Sequence, residues 1–563
     1  MAFDPILPDQ PGSAGRPGNP GRPPVRPTNP NVPAGRPAKS NVPARRPAGV
    51  PRPSGSGRRP PSHPAGERRN RQDLINRRQS PQGRRKPAAS GTYQPKYASG
   101  SRRRPRKNGP GLPALLLIAL MVLGSLALIL MGIHMASSGG ETAKNGISET
   151  TLPESTLSEL PYVITEAKFT VTGDLLPHKT IYSQGSAVYK DQQDYNFDPI
   201  FKYLKGYTDA ADYAIANLET SLYGPERAYS GNPNFNTPDQ IVDGAKNAGF
   251  DMLLTANNHC NDTGLEGVLR TVKVIREKGL KALGTNLSSD ERKYQIENIN
   301  GIRVGMLCYT YEDSQDPNIV TFNYNPLPRE SSDLVCSFPK FTNAKSREPF
   351  YTKLSLEIAE MKEQGADAIV LLVHWGEEYH LEASADQRAL AQKFCDLGVD
   401  LIVGGHPHVV EPVELLTSTR DPGHKTVCLY SLGNAFSNQR REEMTSQKSG
   451  HTEDGMLFQF TFQKYSDNRV YLSSVDVIPT WVNKFQNAEE KREYNILPLE
   501  KEKRDQWQSL FALDAVTAQL AAESYSRTMA IVAGGLEASN AGLSQQLPNR
   551  EVPAETSVPT AAE

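Results

Sequence analysis

The chain has 563 residues, 63 basic and 63 acidic side chains and 37% hydrophobic residues, enough for one or two domains plus accessory segments. Its neutrality hides a split by position: residues 1 to 110 carry 24 Lys and Arg against 4 Asp and Glu, and the remainder carries 39 against 59. Cys260, Cys308, Cys336, Cys395 and Cys428 are odd in number and lack CxxC spacing, which excludes a disulfide framework and leaves buried free thiols as the expected state.

Residues 1–111 repeat Gly-Arg-Pro, Ala-Gly-Arg-Pro and Ala-Arg-Arg-Pro with few apolar side chains, so no core offsets the entropy of ordering them. A disordered, basic, cytoplasmic tail is expected, able to touch anionic lipid headgroups. No aromatic interleaving points to nucleic acid, and none is expected as a partner. Ala114 to Ile133 is a 20-residue run without a charge, the length that crosses a bilayer as a helix; the anchor is placed at 112–135. Arg102 to Lys107 precedes it, and the mixed, acidic stretch Ser137 to Glu159 follows. The charge asymmetry predicts a single-pass protein of the cell membrane with its N-terminus in the cytoplasm and its C-terminal domain outside. The run begins too far into the chain and is too long for a cleaved signal peptide. Residues 136–164 read as a Ser, Thr, Gly and Glu spacer.

From 165 to 480, β-rich apolar runs alternate with helical stripes, the pattern of an α/β domain. Val268, Val272 and Ile275 form one stripe, Leu354, Ile358 and Met361 a second, and Leu390, Phe394 and Leu397 a third. Three helix-to-strand junctions share a formula: Gly249-Phe-Asp251, Gly365-Ala-Asp367 and Gly398-Val-Asp400. Each glycine suits a helix C-terminal cap. The aspartates stand at strand starts, whereas ligands in such sheets gather beyond the carboxyl ends, so no catalytic role is expected of them.

At the carboxyl end of each strand a group of metal-ligand type appears. Phe169 to Val171 leads to Asp174, Tyr213 to Ala216 leads to Asn217 and Glu219, and Asp251 to Thr255 leads to Asn257, Asn258 and His259. Ala368 to Val373 leads to His374, Leu401 to Val403 to the pair His406 and His408, and Val427 to Tyr430 to Asn434. In an extended segment residues i and i+2 face the same side roughly 6 to 7 Å apart, so His406 and His408 suit one metal or two adjacent ones. Gly404 and Gly405 are expected to turn the backbone there. Two carboxylates, an amide oxygen and three histidines suit two divalent ions, Mn, Fe or Zn, sharing a bridging carboxylate. No phosphate loop, Ser/His/Asp order or nucleotide fingerprint is present.

Thr172-Gly-Asp174, Asn217-Leu-Glu219, Asn257-Asn-His259, His374-Trp-Gly376, Gly404-Gly-His-Pro-His408 and Ser431-Leu-Gly-Asn434 resemble, in order, the motifs of the CapA family. That family is associated with capsule and poly-γ-glutamate synthesis and is similar to the calcineurin-like metallophosphoesterases. The resemblance spans about Ala167 to Pro479 and implies a four-layer α/β/β/α metallophosphoesterase-like sandwich with a dinuclear site at one sheet edge. It implies Asp174 and His408 on the first metal, Glu219 as bridge, Asn258, His374 and His406 on the second, and His259 as general acid. Where the phosphoesterases carry Asp-x-His, position 176 is Leu; the first metal is short of one ligand unless His178 supplies it. The resemblance further implies either a metal-dependent hydrolase or transferase in cell-surface polymer metabolism, or a non-catalytic subunit tethering an anionic polymer beside a membrane synthase complex.

Trp375 and Tyr379 are expected in a core or rim role, and His380, His424 and His451 on the surface. Asn234 to Pro238 resembles a family segment near the site. Arg469 to Thr480 is expected to complete a second sheet, 481–538 to form a helical appendage, and 539–563 to be disordered.

Overall fold

The structure, a computed structural model, describes residues 160–548 apart from 192–193, 317 and 341–346. The expected tail, the 112–135 anchor, nearly all of the spacer and residues 549–563 lie outside the described residues. Among the described residues no helix is long and apolar enough to cross a membrane.

The strands in chain order are β1 (Val163–Leu175), β2 (Tyr213–Leu218), β3 (Met252–Leu254), β4 (Lys281–Leu283), β5 (Tyr294–Ile299) and β6 (Ile302–Glu312). The hairpin β7 (Val320–Phe322) and β8 (Asn325–Leu327) follows, then β9 (Ser337–Pro339), β10 (Ala368–His374) and β11 (Leu401–Gly405). The remainder are β12 (Val413–Thr417), β13 (Lys425–Leu429), β14 (Asn434–Phe436), β15 (Asp454–Tyr465), β16 (Val470–Gln486) and β17 (Arg492–Pro498). The long helices are α1 (Gln240–Asn247), α2 (Leu265–Glu277), α3 (Glu348–Glu363), α4 (Ala385–Asp396) and α5 (Ala515–Ser544).

One sheet runs β17-β16-β15-β1-β2-β3-β4, with β14 against β1; the other runs β12-β13-β11-β10-β6-β5, with β9 against β6. Side chains alternate with the pleat. Val370 and Leu372 of β10 join Phe169, Val171 and Ile215 in the core between the sheets, while Ile369, Leu371 and Val373 turn outward onto Leu354, Ile358 and Phe394 of α3 and α4. Ala214, Ala216 and Leu218 of β2 face Ile241, Ala245, Val272 and Ile275 of α1 and α2. The layering is helix, sheet, sheet, helix, a mixed α/β architecture with all three expected helical stripes buried, apart from the half-buried Leu397 at the end of α4.

The repeated Gly-x-Asp formula is structural. Gly249, Gly365 and Gly398 hold φ of +91°, +85° and +86°. Asp251, Asp367 and Asp400 each accept a hydrogen bond from a backbone N–H at the start of the neighbouring strand, Ala214 at 2.8 Å, Arg303 at 2.8 Å and Ile369 at 2.7 Å. All five cysteines are free and buried.

The C-terminal part departs from expectation. Residues 470–486 form one long strand in the same sheet as β1, and β17 pairs beyond it from Thr480↔Pro498 to Gln486↔Arg492. The helix starts at Ala515 and runs to Ser544, past the expected boundary at 538. It is no appendage: Val532, Leu536 and Leu543 enter the core between the sheets. The small residues Ser524, Thr528 and Ser539 are buried on the same packed face.

Candidate metal centre

Strands β1, β2 and β3 are mutually parallel, as are β6, β10, β11 and β13. Parallel strands share one carboxyl-terminal edge, which is where such sheets collect ligands. Because the two sheets pack face to face, both edges deliver side chains to one place. A register break at Gly173, between Thr172 and Asp174, separates the Asp174 carboxylate from the regular ladder, a common device for aiming a side chain beside a site.

Two groups of potential ligands result, Asp174, Glu219 and His408 in one and Glu219, His374 and His406 in the other, with the ligand atoms of each group within 4.8 Å of one another. All five residues are buried. His408 Nδ1 lies 3.3 Å from Asp174 Oδ2 and 3.8 Å from Glu219 Oε2. His374 Nε2 lies 3.4 Å from Glu219 Oε1 and 2.8 Å from Asn258 Oδ1, so Asn258 joins the second group. Asn217 donates to Asp174 Oδ1 at 2.7 Å and accepts from Asn257 at 3.2 Å; it orients a ligand. Asn434 Oδ1 sits 3.2 Å from His408 Nδ1, and its amide donates to the backbone oxygens of His408 and Thr452. His178 lies outside both groups, with Nδ1 3.2 Å from the backbone oxygen of Leu176. Leu176 is itself a core residue.

The donor set fits divalent cations. Asp174 Oδ2, both oxygens of Glu219 and Nδ1 of His406 are buried without a hydrogen-bond partner, whereas buried polar atoms are ordinarily satisfied. Burial, reinforced by the Asp174 charge, pushes the Glu219 carboxyl well above its usual range. Burial lowers His374 to about 3 and holds His406 far below the usual imidazole value. Burial opposes ionisation of Asp174 and His408 as well, but their close approach and mutual charge outweigh it, lowering the acid and raising the base. Neutral imidazoles are ligand-competent, and a bound cation would reverse the penalty on Glu219.

The backbone explains how two histidines so close in sequence serve different groups. His406 and His408 hold φ of 101° and 58°, rare values for side-chain-bearing residues and a sign of conformations held for function. Gly404 does not supply the turn, contrary to the sequence expectation. A Cβ there would meet the Tyr430 backbone oxygen at 1.9 Å and Trp375 Nε1 at 2.5 Å, so it permits close strand approach instead.

His259 stands beside the centre, with Nδ1 2.7 Å from Asp262 Oδ2. Asp262 is fixed by the backbone N–H of Phe235 at 2.6 Å and by Asn323 at 2.9 Å. The Phe235 ring packs edge-on to His259 at 4.7 Å, which places the Asn234 to Pro238 segment at the site. Sequence reasoning missed Asp262, three positions after His259, although that spacing is a usable signal. It also missed Tyr311, whose hydroxyl is 3.2 Å from His406 Nε2 at the carboxyl end of β6. Trp375 is core, donating to the Tyr430 backbone oxygen at 2.9 Å; Tyr379 is rim, its ring 6.1 Å from that of His408. Of the three histidines expected on the surface, only His380 is exposed; His424 and His451 are half-buried.

Residues 168–439 match the family model described as "Bacterial capsule synthesis protein PGA_cap". The chain is 27% identical over 299 residues to "PGA biosynthesis protein CapA" of Bacillus subtilis (strain 168), covering 52% of this chain and 69% of that protein. It is 28% identical over 322 residues to "Capsule biosynthesis protein CapA" of Bacillus anthracis, covering 55% and 66%. A solved structure, TT1561 of Thermus thermophilus, aligns with a TM-score of 0.26 at 9% identity over 52% of this chain and 94% of that one, too low to carry an argument. The matched span contains both ligand groups and the His259–Asp262 pair, and on that span this chain belongs to the CapA family of bacterial capsule synthesis proteins.

Proposed function

We propose that this chain is a membrane-anchored, extracellular CapA-type protein that uses a dinuclear metal centre on a metallophosphoesterase-like sandwich to cleave or transfer phosphoester or amide bonds of a cell-surface polymer such as poly-γ-glutamate. The observation that carries this reading is Glu219: one buried, unpartnered carboxylate shared by two ligand groups. Asp174 and His408 would hold one ion, Asn258, His374 and His406 the other, with Mn, Fe or Zn matching the nitrogen and oxygen donors. The chemistry supplied by ions bound there would be Lewis-acid polarisation of the scissile group and activation of water. His259, oriented by Asp262, gives its proton to the leaving group. Asn217 and Asn434 keep Asp174 and His408 in position.

A second reading, a non-catalytic subunit that tethers polymer beside a membrane synthase complex, is favoured by Leu176. It fills with a core side chain the position where the phosphoesterases carry a histidine, and His178 does not join the ligand groups.

The full chain in detergent, with bound metal measured by elemental analysis, is to be assayed on phosphomonoester, phosphodiester and γ-glutamyl amide substrates. Turnover with stoichiometric metal supports the enzyme; stoichiometric metal with no turnover, and biological complementation by His259→Ala, supports tethering. Protease added to intact cells should remove the domain and spare the tail; the reverse pattern refutes the topology.

A further inference from the structure

The hairpin of β7 and β8 turns through only two residues, Asn323 and Tyr324, and both take left-handed backbone angles, φ 49° and 60°. Turns of this hand favour Asn-Gly, because both central residues need positive φ. Asn tolerates the position. Tyrosine is strained there, and burial does not compensate, since Tyr324 is 81% exposed.

The exposure is not looseness. Phe322 is fully buried among Cys260, Val268, Leu327 and Val335. Asn323 Nδ2 donates to the Pro233 backbone oxygen at 2.6 Å and to Asp262 Oδ1 at 2.9 Å, and the Tyr324 backbone N–H donates to Asp313 Oδ2 at 2.7 Å. Asn325 donates to Asn234 Oδ1 at 2.9 Å and accepts from Asn261 at 3.0 Å.

The tip also has a definite place. Asn323 Nδ2 is 3.3 Å from His259 Nδ1. The Tyr324 backbone N–H holds Asp313, which stands two residues after Tyr311, just past the end of β6, and the Tyr311 hydroxyl touches His406. An exposed ring on a pinned, strained turn thus stands on the rim between the His259 side and the His406 side of the metal centre.

We infer that Tyr324 is a specificity-determining residue, the platform against which an extended, amide-linked acidic chain lies as it passes the metal centre. A neutral ring offers its face to amide planes and methylenes and its hydroxyl to carboxylates, without the repulsion an acidic side chain would bring. The inference rests on the acidic-polymer reading above. It adds the residue that distinguishes such a chain from other polyanions.

The test is titration of the full, metal-loaded chain in detergent with a labelled γ-glutamyl oligomer and, as control, polyphosphate. Tyr324→Gly should weaken oligomer binding about tenfold or more, leave metal content unchanged, and leave Tm equal or raised by about 1–3 °C as the strain is relieved. Tyr324→Asn, which also tolerates the conformation, should lose binding equally, and Tyr324→Phe should keep most of it. Oligomer binding by Tyr324→Gly within twofold of the parent overturns the inference, as does a fall in Tm alongside the binding loss or an equal loss for polyphosphate. A parent chain that holds metal yet binds no oligomer overturns the acidic-polymer reading itself, and this inference with it.

Discussion

The carboxylate of Glu219 meets Nε2 of His374 at 3.4 Å across the junction of two sheets, one residue following β2 and the other ending β10. Because Glu219 belongs to both ligand groups, its loss should differ in kind from loss of a ligand used once. Elemental analysis should find Glu219→Ala depleted of both ions, and His406→Ala retaining metal at the Asp174 and His408 group. Equal depletion in the two variants would contradict a shared bridge.

His259 and Asp262 belong to neither ligand group, so their variants should keep metal. His259→Ala is expected to lower turnover by roughly 10² to 10⁴, the usual contribution of a positioned acid. Asp262→Asn, which removes only the orienting charge, should cost about 10- to 100-fold. The readout is kcat at constant metal content; a fall in metal that tracks the fall in rate would reassign both residues to the ligand shell.

Glu411 is buried with Oε1 unpartnered while Gln387 donates to Oε2 at 2.7 Å. Burial, only partly offset by Gln387, raises its pKa from 4.5 to about 8. The folded chain therefore binds the proton more tightly than the unfolded one. The associated stability is full below pH 4.5 and is lost progressively as pH rises to about 8. Urea midpoints should fall across that window in the parent and fall less in Glu411→Gln. Parallel pH profiles for the two proteins would show that Glu411 does not report on folding.

Asp454 joins α5 to the sheet: Arg527 reaches its two oxygens at 2.7 Å each, and Ser524 donates to it at 2.6 Å. Burial nonetheless raises the acid to about 6, so the pair is desolvated. Arg527→Met should destabilise the chain by about 3–5 kcal/mol, the effect of stranding one member of a buried pair. Asp454→Asn added to it should recover part of that loss in denaturant titrations. A neutral single variant would mean that α5 is held by its apolar face alone.

Local pattern sufficed for much of this molecule. Each strand named in sequence exists because β-type runs and helical stripes have different periods. The site residues were legible because a sheet of parallel strands exposes its carboxyl ends on one edge, so polar groups at those ends needed no distance information to be grouped. That the three strand-start aspartates stand away from the site followed from the same directional argument; the backbone N–H groups they accept from were seen only in the structure.

What only the tertiary structure decided involves groups meeting across elements. The spacing of Asp262 from His259 is a local signal, but what fixes its carboxylate against the imidazole is Phe235 and Asn323, which come from two distant segments. The glycine at 404 looked like a hinge, yet close approach of the Tyr430 backbone demands it, while His406 and His408 take the strained angles themselves. The C-terminal helix read as an appendage because much of its buried face is Ala, Ser, Thr and Gly beside Val532, Leu536 and Leu543. Small side chains carry little hydrophobic signal along a sequence, but they let a helix sit closely against β12 and β16, and that packing exists only once both sheets are folded.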